Sequence, residues 1–375
     1  FLLDKRSFVE HYDLSLEIHS SLAEAEYATG NHGGISIAVE PILKHGRNLK
    51  DKMQAYLAII NSLGAQGQQA KAIKSGTALL SMHGYNFPPS PDINESTEEI
   101  HKTQSILQSI NVFEIATRPT IIDKKGKSAI HILFILARHA HIVNQNLMSI
   151  MVCRMIQISI EYGVCVESSF AFAAYGYVMT KFAGLEEAYK YGKVATALLD
   201  RFDSKEVLAR VVCVLNDFLI FKEPLQARLP TLKNAYEVGI SIGDIEWGLT
   251  VANVYTIMAL QCGRPLTALA DEAKGFMQQM RLYKHHTLVV ASLYSRFIAN
   301  LTGTSDRGDP TDFGDLLGSD EIGTLTQEVR QTSVVNRAHF LRLWMAYLFG
   351  RYDLAAEMAE SRWKMANSRP LRSTS

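Results

Sequence analysis

Apolar residues recur at intervals of three and four positions along most of the chain. In an early segment the apolar positions are Met53, Tyr56, Leu57, Ile60 and Leu63. This spacing places them on one face of an α-helix. The same spacing recurs in two later runs: Leu147, Met151, Met155, Ile158 and Tyr162, then Leu208, Val211, Val212, Leu215, Phe218 and Leu219. Strand-like alternation is scarce, so the pattern predicts roughly sixteen helices of about 12 to 20 residues with short connections.

Single glycines separate these helical patterns, and a small residue often follows five positions later. In LFGRYDLAAEMAE, residues 348–360, Gly350 is followed by Ala355. A glycine can end a helix in the left-handed conformation, and a small residue lets the next helix approach closely. The same spacing occurs at Gly33–Ala38, Gly67–Ala72, Gly263–Ala268 and Gly243–Gly248. It predicts helical hairpins with junctions at or next to Gly67, Gly184, Gly243, Gly263 and Gly350.

The distance between glycines suggests what repeats. Gly33 and Gly67 are 34 residues apart, which is the tetratricopeptide period. Later intervals drift, with 117 residues from Gly67 to Gly184 and 59 from there to Gly243. We therefore predict an all-α, tetratricopeptide-like superhelix of antiparallel helix pairs, an α-solenoid with degenerate repeats. The alternative is an irregular all-helical domain without a superhelix.

Two loop-like stretches divide the predicted array. NFPPSPDINESTE, residues 86–98, carries three prolines, and residues 302–322 are rich in glycine and aspartate. Both compositions favour loops. The predicted organisation is N-terminal helical repeats over 1–88, a linker with room for a short helix over 89–127, central helical repeats over 128–302, an acidic glycine-rich loop over 303–332, a C-terminal helical hairpin over 333–367 and a tail over 368–375.

Composition excludes some partners and names none. Lys plus Arg and Asp plus Glu are each 38, so no basic surplus indicates nucleic acid or an anionic membrane. The longest charge-free run near the middle, residues 168–180, is shorter than the about 20 residues of a membrane-spanning helix. The chain begins at Phe1 without a secretory signal pattern. We expect a cytoplasmic segment cut from a longer polypeptide.

The cysteines indicate neither zinc nor disulfides. They are at least 12 residues apart, without the paired spacing of either kind of site. We expect reduced core residues at Cys153, Cys165, Cys213 and Cys262.

Two short motifs resemble nucleotide-binding signatures but lack their context. Residues 312–314 spell DFG, the magnesium-binding signature of kinases, without a glycine-rich loop or a His-Arg-Asp catalytic loop. Residues 126–128 spell GKS, but Ile121 stands where a phosphate loop requires glycine. The alternative for GKS is a solvated turn that caps a helix beginning near Ser128. We predict no catalytic, cofactor-binding or metal-binding residues in this segment.

Pairs of titratable residues also favour ordinary structural roles. His139 and His141 would point to different faces of a helix, and His285 and His286 are adjacent, so neither pair has good ligand spacing. We expect surface or cap histidines at these positions. Glu186 and Glu187 follow Gly184, where carboxylates oppose the helix N-terminal dipole favourably. The sequons at Asn94 and Asn300 lack a secretory context.

Aromatic residues lie mostly within the helical stripes. Packing between helices is the default role for such residues, although some could line a concave face and anchor a peptide. The sequence does not separate the two roles for Tyr175, Tyr177, Phe182, Tyr189, Trp247, Tyr255, Trp344 and Tyr347.

Three segments carry a resemblance to a known family. They are YLAIINSLGAQGQQAKAIKSGTALLSMHGYNFP at 56–88, SIEYGVCVESSFAFAAYGYVMTKFAGLEEAYKYGKVATALLDRF at 159–202 and YEVGISIGDIEWGLTVANVY at 236–255. Within them the specific motifs are GYNFP at 84–88, ESSFAFAAYG at 167–176 and IGD at 242–244. These segments resemble the helical region of very large predicted-ATPase signalling proteins. The resemblance covers roughly residues 10–362.

The resemblance implies a scaffold rather than an enzyme. In that family a serine/threonine-kinase-like domain and an AAA-type signal-transduction ATPase precede the repeats, and a GAF sensor and often a histidine kinase follow them. None of these domains is in this chain, so ATP and magnesium are expected only in flanking domains. The implied function is a regulatory arm that contacts the ATPase, sensor and kinase domains of its own polypeptide, and binds a protein or peptide on its concave face. The alternatives are a free-standing adaptor or transcriptional-regulator module, or an enzyme with its site inside the solenoid.

Overall fold

The computed structural model describes residues 7–305, 309, 311 and 328–367. Helices make up the architecture of this part of the chain. Its β-structure is an isolated parallel bridge between Thr120 and Val164. The all-α class is therefore confirmed. In the described residues no helix combines the length and the apolar character needed to cross a bilayer.

The chain divides into two compact units, residues 1–202 and 203–375. In the first unit, neighbouring helices pack as antiparallel pairs. Its helices are α1 (Ser7–Glu10), α2 (Tyr12–Ala28), α3 (His32–His45), α4 (Leu49–Ala65), α5 (Gln69–Met82), α6 (Ile93–Gln108), α7 (Lys124–Val143), α8 (Gln145–Tyr162), α9 (Val166–Phe182) and α10 (Leu185–Phe202), with a 3-10 helix at Val112–Thr117.

The second unit repeats the helix-pair arrangement. Helix α11 contacts both α12 and α13, and α13 in turn contacts both α14 and α15. Helices α11, α13 and α15 therefore pack against one another as one layer. The helices of this unit are α11 (Lys205–Leu219), α12 (Leu225–Ser241), α13 (Ile245–Gln261), α14 (Leu266–Leu282), α15 (Leu288–Thr302), α16 (Glu328–Leu348) and α17 (Tyr352–Asn367).

The junction glycines are where the sequence predicts them. Their φ angles lie between 71° and 83°, a region that favours glycine. At Gly350 the following amide, Arg351 N, donates to the carbonyl of Ala346 at 2.8 Å, which closes the helix end in the manner of a Schellman motif. The prediction is confirmed for Gly67, Gly184, Gly243, Gly263 and Gly350.

In each hairpin, one residue of the second helix packs closely against the first helix. Its place in the chain depends on where the second helix begins and not on a fixed distance from the junction glycine. The fourth residue of the second helix is buried in each of the glycine-linked hairpins. These residues are Ile35, Ala72, Ala188, Gly248, Leu269 and Ala355. Ala268 is exposed, because Pro265 delays the start of α14 and shifts the contact to Leu269. Gly33 lies inside α3, and the left-handed junction residue before that helix is Gly30.

Residues 86–98 are a loop only in their first half. Asp92 Oδ1 accepts a hydrogen bond from Glu95 N, and Glu95 Oε2 accepts one from Asp92 N, both at 2.9 Å. This reciprocal capping box starts α6, which occupies part of the region predicted as a linker. The four residues that specify the capping box, DINE at 92–95, lie within the stretch whose composition predicts a loop. Further along, Ile121 N donates to the carbonyl of Val164 at 3.0 Å, so this part of the region packs on the first unit.

The predicted acidic loop is described only in part. Ser305, Asp309 and Thr311 are placed, and the DFG residues 312–314 lie outside the described residues. Asp309 Oδ2 accepts a hydrogen bond from Arg351 Nη1 at 2.6 Å. Helix α16 begins at Glu328, within the range predicted as loop.

Candidate functional site

The second unit contains an open groove of about 520 Å³. Side chains from α11, α13, α15, α16 and α17 line it. The layer of α11, α13 and α15 forms its floor, and α16 and α17 contribute the rest of the lining. Its polar members are Asn216, Asp217, Gln261, Asn336, Arg337 and Arg362. Apolar residues such as Ile257 and Met258 lie between them.

Two guanidinium groups face neutral partners in this groove. Arg337 Nη1 lies 3.4 Å from the hydroxyl of Tyr294, and its guanidinium stacks on that ring. Arg362 Nε donates to Asn336 Oδ1 at 3.0 Å, and its guanidinium stacks on Phe340. These contacts hold the two cations in place without neutralising their charge. The groove can therefore attract a carboxylate.

Helix α11 contributes an amide and a carboxyl group to the groove lining. Asn216 is 5% exposed, and its side-chain oxygen Oδ1 has no hydrogen-bond partner in the described part of the chain. Asp217 remains open to solvent, yet the surrounding atoms remove enough water to raise its pKa to about 6. An unsatisfied buried acceptor is costly. Asn216 is thus a candidate acceptor for a ligand N–H group.

A second, apolar pocket of about 400 Å³ adjoins the groove through Gln261 and Phe340. Its other lining residues are Leu343, Trp344 and Tyr347 of α16. Trp344 is fixed by Phe297, at 4.8 Å between ring centroids, and by Phe340, at 5.9 Å. A rigid aromatic wall of this kind suits a bulky apolar side chain.

Together the two cavities favour binding of an extended polypeptide. Amide and guanidinium groups can bond to main-chain carbonyls and carboxylates, while the pocket accommodates one side chain. Within the described residues, the groove lining contains no serine, cysteine, lysine or histidine.

The GKS motif lies at the start of a helix. Asp123 Oδ2 accepts a hydrogen bond from Gly126 N at 2.6 Å and caps α7. The helix begins at Lys124 rather than near Ser128, because this aspartate satisfies the first amides. Ile121 is buried at 4% exposure. Residues 123–128 therefore form a capped helix start, which is the alternative interpretation of the GKS motif.

The paired glutamates Glu186 and Glu187 have the predicted role. Both lie in the first turn of α10, and Glu187 accepts a hydrogen bond from Lys190 at 2.7 Å.

Of the two glycosylation sequons, the one at Asn300 lies within α15. Asn300 is only 4% exposed, which leaves no room for a glycan.

Two of the four paired histidines are buried, whereas His141 and His286 are exposed. His139 is 7% exposed, and its Nδ1 lies within hydrogen-bond distance of Gln69 Oε1, linking α7 to α5. His285 is 6% exposed and lies with His286 beside Glu246 at the start of α13. The expectation of surface or cap histidines is wrong for His139, which is buried inside α7. His285 is buried too, but it has a cap role, since its Nδ1 accepts a hydrogen bond at 3.3 Å from the backbone amide of Thr287, the N-cap residue of α15. Both face neighbouring helices, which a single-helix pattern does not reveal.

The cysteines are free thiols, as predicted. Burial raises the pKa of Cys153 to about 12 and that of Cys165 to about 11. Both thiols are therefore protonated and poorly nucleophilic at neutral pH. The other two, Cys213 and Cys262, are only partly buried.

The aromatic residues separate into two groups. Tyr175 and Tyr255 are core residues with at most 1% exposure. Trp344 and Tyr347 line the apolar pocket, and Tyr347 is 62% exposed. The polar groove residues are not identified by the sequence analysis. A signal was present, because Asn216-Asp217 and Asn336-Arg337 each interrupt an apolar helical run.

Comparisons with known proteins agree with the helical-repeat fold. No protein-family model matches the chain. The hybrid signal transduction histidine kinase G of Dictyostelium discoideum is 18% identical over 318 residues, which cover 79% of this chain and 9% of that protein. The matched region is thus a small part of this relative's length.

A solved structure extends the comparison to nearly the whole chain. The crystal structure of a Rap protein complexed with Competence and Sporulation Factor superposes with a TM-score of 0.50 at 10% identity, covering 96% of this chain and 98% of the other. At this identity the likeness concerns the fold alone. It supports the tetratricopeptide-like helical-repeat fold predicted from the glycine spacing.

Proposed function

We propose that the chain is a non-catalytic scaffold segment of a larger intracellular signalling protein, and that it binds an extended polypeptide in the groove of its second unit. The observation that carries this proposal is the placement of Arg337 and Arg362 beside an aromatic pocket. The groove supplies bonds to the main chain of a ligand and the pocket supplies an anchor for one side chain.

The charges of the groove favour a peptide that carries a carboxylate. Among the described lining residues, the charged groups are two guanidinium groups and one carboxyl group, Asp217, so their summed charge is positive at any pH near neutrality. Charge-assisted bonds from arginine to a carboxylate are among the stronger polar contacts in proteins. A bulky apolar residue near that carboxylate would fit between Trp344 and Tyr347.

The wider context rests on similarity rather than on geometry. The resemblance of residues 10–362 to the helical region of large signalling proteins and the match to a histidine kinase both support a regulatory role. In this role the flanking ATPase, sensor and kinase domains are the intramolecular partners. Occupancy of the groove would be communicated to them through the stacked helix pairs, since each pair packs on the next.

The binding proposal is tested with a random peptide library displayed in two forms, one with a free C-terminal carboxylate and one amidated. Selection on the full chain is expected to enrich acidic or free-carboxylate peptides with a large apolar residue. Arg337→Ala is expected to weaken a selected peptide by about 1.5–3 kcal/mol, roughly ten- to a hundredfold. Titration calorimetry measures that difference.

The matched control is Arg281→Ala, which removes an exposed arginine of α14 outside the groove. It is expected to leave peptide affinity unchanged. Far-ultraviolet circular dichroism confirms that both variants are folded. Equal affinity of the parent chain and Arg337→Ala, or failure of any peptide class to be enriched, would contradict the proposal.

A further inference from the structure

Glu246, His285 and His286 form a compact cluster in the second unit. Glu246 is the second residue of α13, and the histidines lie in the turn between α14 and α15. One donor atom from each of the three residues lies within 4.8 Å of the others. The cluster is separate from the groove, which begins on α13 only at Val254.

The turn explains how adjacent histidines reach the same carboxylate. Helix α14 ends at Leu282, and Lys284 has a left-handed φ of 49°. This conformation redirects the chain, so the two rings lie side by side with centroids 4.5 Å apart. In a helix, adjacent side chains diverge and could not do this.

The distances suit a transition-metal ion. His285 Nε2 is 3.4 Å from Glu246 Oε2, and His286 Nδ1 is 3.3 Å from Glu246 Oε1. Ligand atoms on a tetrahedral zinc with bonds of about 2.0–2.1 Å lie about 3.3 Å apart. Each nitrogen has that separation from a different oxygen of Glu246, so this carboxylate would hold the ion through both of its oxygens. The two nitrogens and the carboxylate are also the ligand types that zinc prefers, in the two-His, one-Glu set found in zinc sites with an open position.

A hydrogen-bond partner orients the buried ring. His285 Nδ1 lies 2.8 Å from Thr287 Oγ1, and His285 Nε2 lies 3.0 Å from the carbonyl oxygen of Glu246. The backbone amide of Thr287 donates to His285 Nδ1 at 3.3 Å, so Nε2 carries the proton and donates it to the Glu246 carbonyl oxygen. Binding of an ion at Nε2 requires the other tautomer, in which Nδ1–H donates to Thr287 Oγ1 in place of the amide contact. Partners of this kind fix the orientation and tautomer of metal-binding histidines.

We propose that Glu246, His285 and His286 bind one divalent transition-metal ion of the zinc class. Water completes the coordination. The ion links the start of α13 to the turn that precedes α15, two helices that also form the floor of the groove. This inference is independent of the proposed peptide binding.

The test uses the full chain, freed of metal with a chelator and titrated with Zn²⁺ by calorimetry. We expect one saturable site and a zinc-dependent rise in the melting temperature, because a ligand that binds only the folded state stabilises it. Cobalt(II) is a second probe, and its visible absorption reports nitrogen and oxygen coordination at low coordination number.

His286→Ala and Glu246→Gln are each expected to weaken zinc binding by more than tenfold and to remove the rise in melting temperature. His286 is partly exposed, so its loss leaves the helices intact. The control is His131→Ala, which breaks a different His–Glu contact, 2.9 Å to Glu167 in the first unit, and should leave zinc affinity unchanged. No saturable binding, or less than tenfold weakening in both variants, would overturn the proposal.

Discussion

Gly239 of α12 and Gly248 of α13 lie backbone against backbone. A Cβ atom built on Gly239 would stand 3.0 Å from the Cα of Gly248 and 3.3 Å from the Cβ of Ala209. The absence of side chains at both positions therefore permits three helices to approach one another within the core of the second unit.

Gly239→Ala is expected to destabilise the protein by about 1–3 kcal/mol, since the extra methyl group meets backbone that cannot rotate away. Gly275→Ala on α14 is the matched control, because no atom lies within 4 Å of its Cβ position. It should stabilise the chain by about 0.5–1 kcal/mol through its higher helix propensity. Urea denaturation measures both. Destabilisation by Gly275→Ala equal to that of Gly239→Ala would show that the close approach is not the cause.

In the C-terminal hairpin of α16 and α17, the same substitution can be compared at a buried and at an exposed position of α17. Ala355 is 8% exposed and faces α16, whereas Glu357 is exposed. Ala355→Leu is expected to cost about 1–3 kcal/mol by overpacking. Glu357→Leu should stay within about 0.5 kcal/mol. Because repeats contact mainly their neighbours, hydrogen exchange should locate the damage in α16 and α17.

Equal destabilisation by Ala355→Leu and Glu357→Leu would contradict the hairpin interpretation. Loss of amide protection spread evenly back to α4 and α5 would contradict the nearest-neighbour interpretation of the array.

Asp309 supplies a prediction about pH. Bonds from the hydroxyl and amide of Thr311, and then from Arg351, lower its pKa to about 2. A depressed folded-state pKa stabilises the fold above the ordinary aspartate range, and that contribution is lost as the pH falls toward 2. Both side chains of the Asp309–Arg351 pair are about half exposed, so the pair contributes at most about 1 kcal/mol.

Arg351→Gln is expected to raise the Asp309 pKa, which carboxyl NMR titration measures directly. The stability difference between the parent chain and this variant should stay constant from neutral pH to about pH 4 and shrink as the pH falls from there toward 2. An unchanged Asp309 pKa in the variant would show that Arg351 does not hold this carboxylate.

The absence of a phosphate loop predicts that the chain does not bind Mg-ATP. Ile121 is buried and its backbone amide is bonded to Val164, so residues 121–128 present no glycine-rich cradle of free amides. Titration calorimetry with Mg-ATP is expected to show no saturable heat. Micromolar binding that is lost in Lys127→Ala would contradict this prediction.

The sequence by itself determined the helical class, the apolar faces and most helix junctions, because these depend on residues close together in the chain. Apolar spacing reports one face of one helix, and a glycine such as Gly350 reports its own left-handed backbone. The capping box at Asp92 and Glu95 also depends only on residues close together in the chain. The prolines that precede it nevertheless favoured a loop prediction for the whole stretch.

Only the tertiary structure decided which side chains meet. Arg337 and Asn216 are on α16 and α11, and they share a groove because α11 packs on α13, α13 on α15 and α15 on α16. Glu246 meets His285 and His286 only because a left-handed residue turns the chain between α14 and α15. Contacts of this kind depend on how helices pack and on the geometry of turns, and both are determined by many residues together. Periodicity and spacing within one helix carry no information about either.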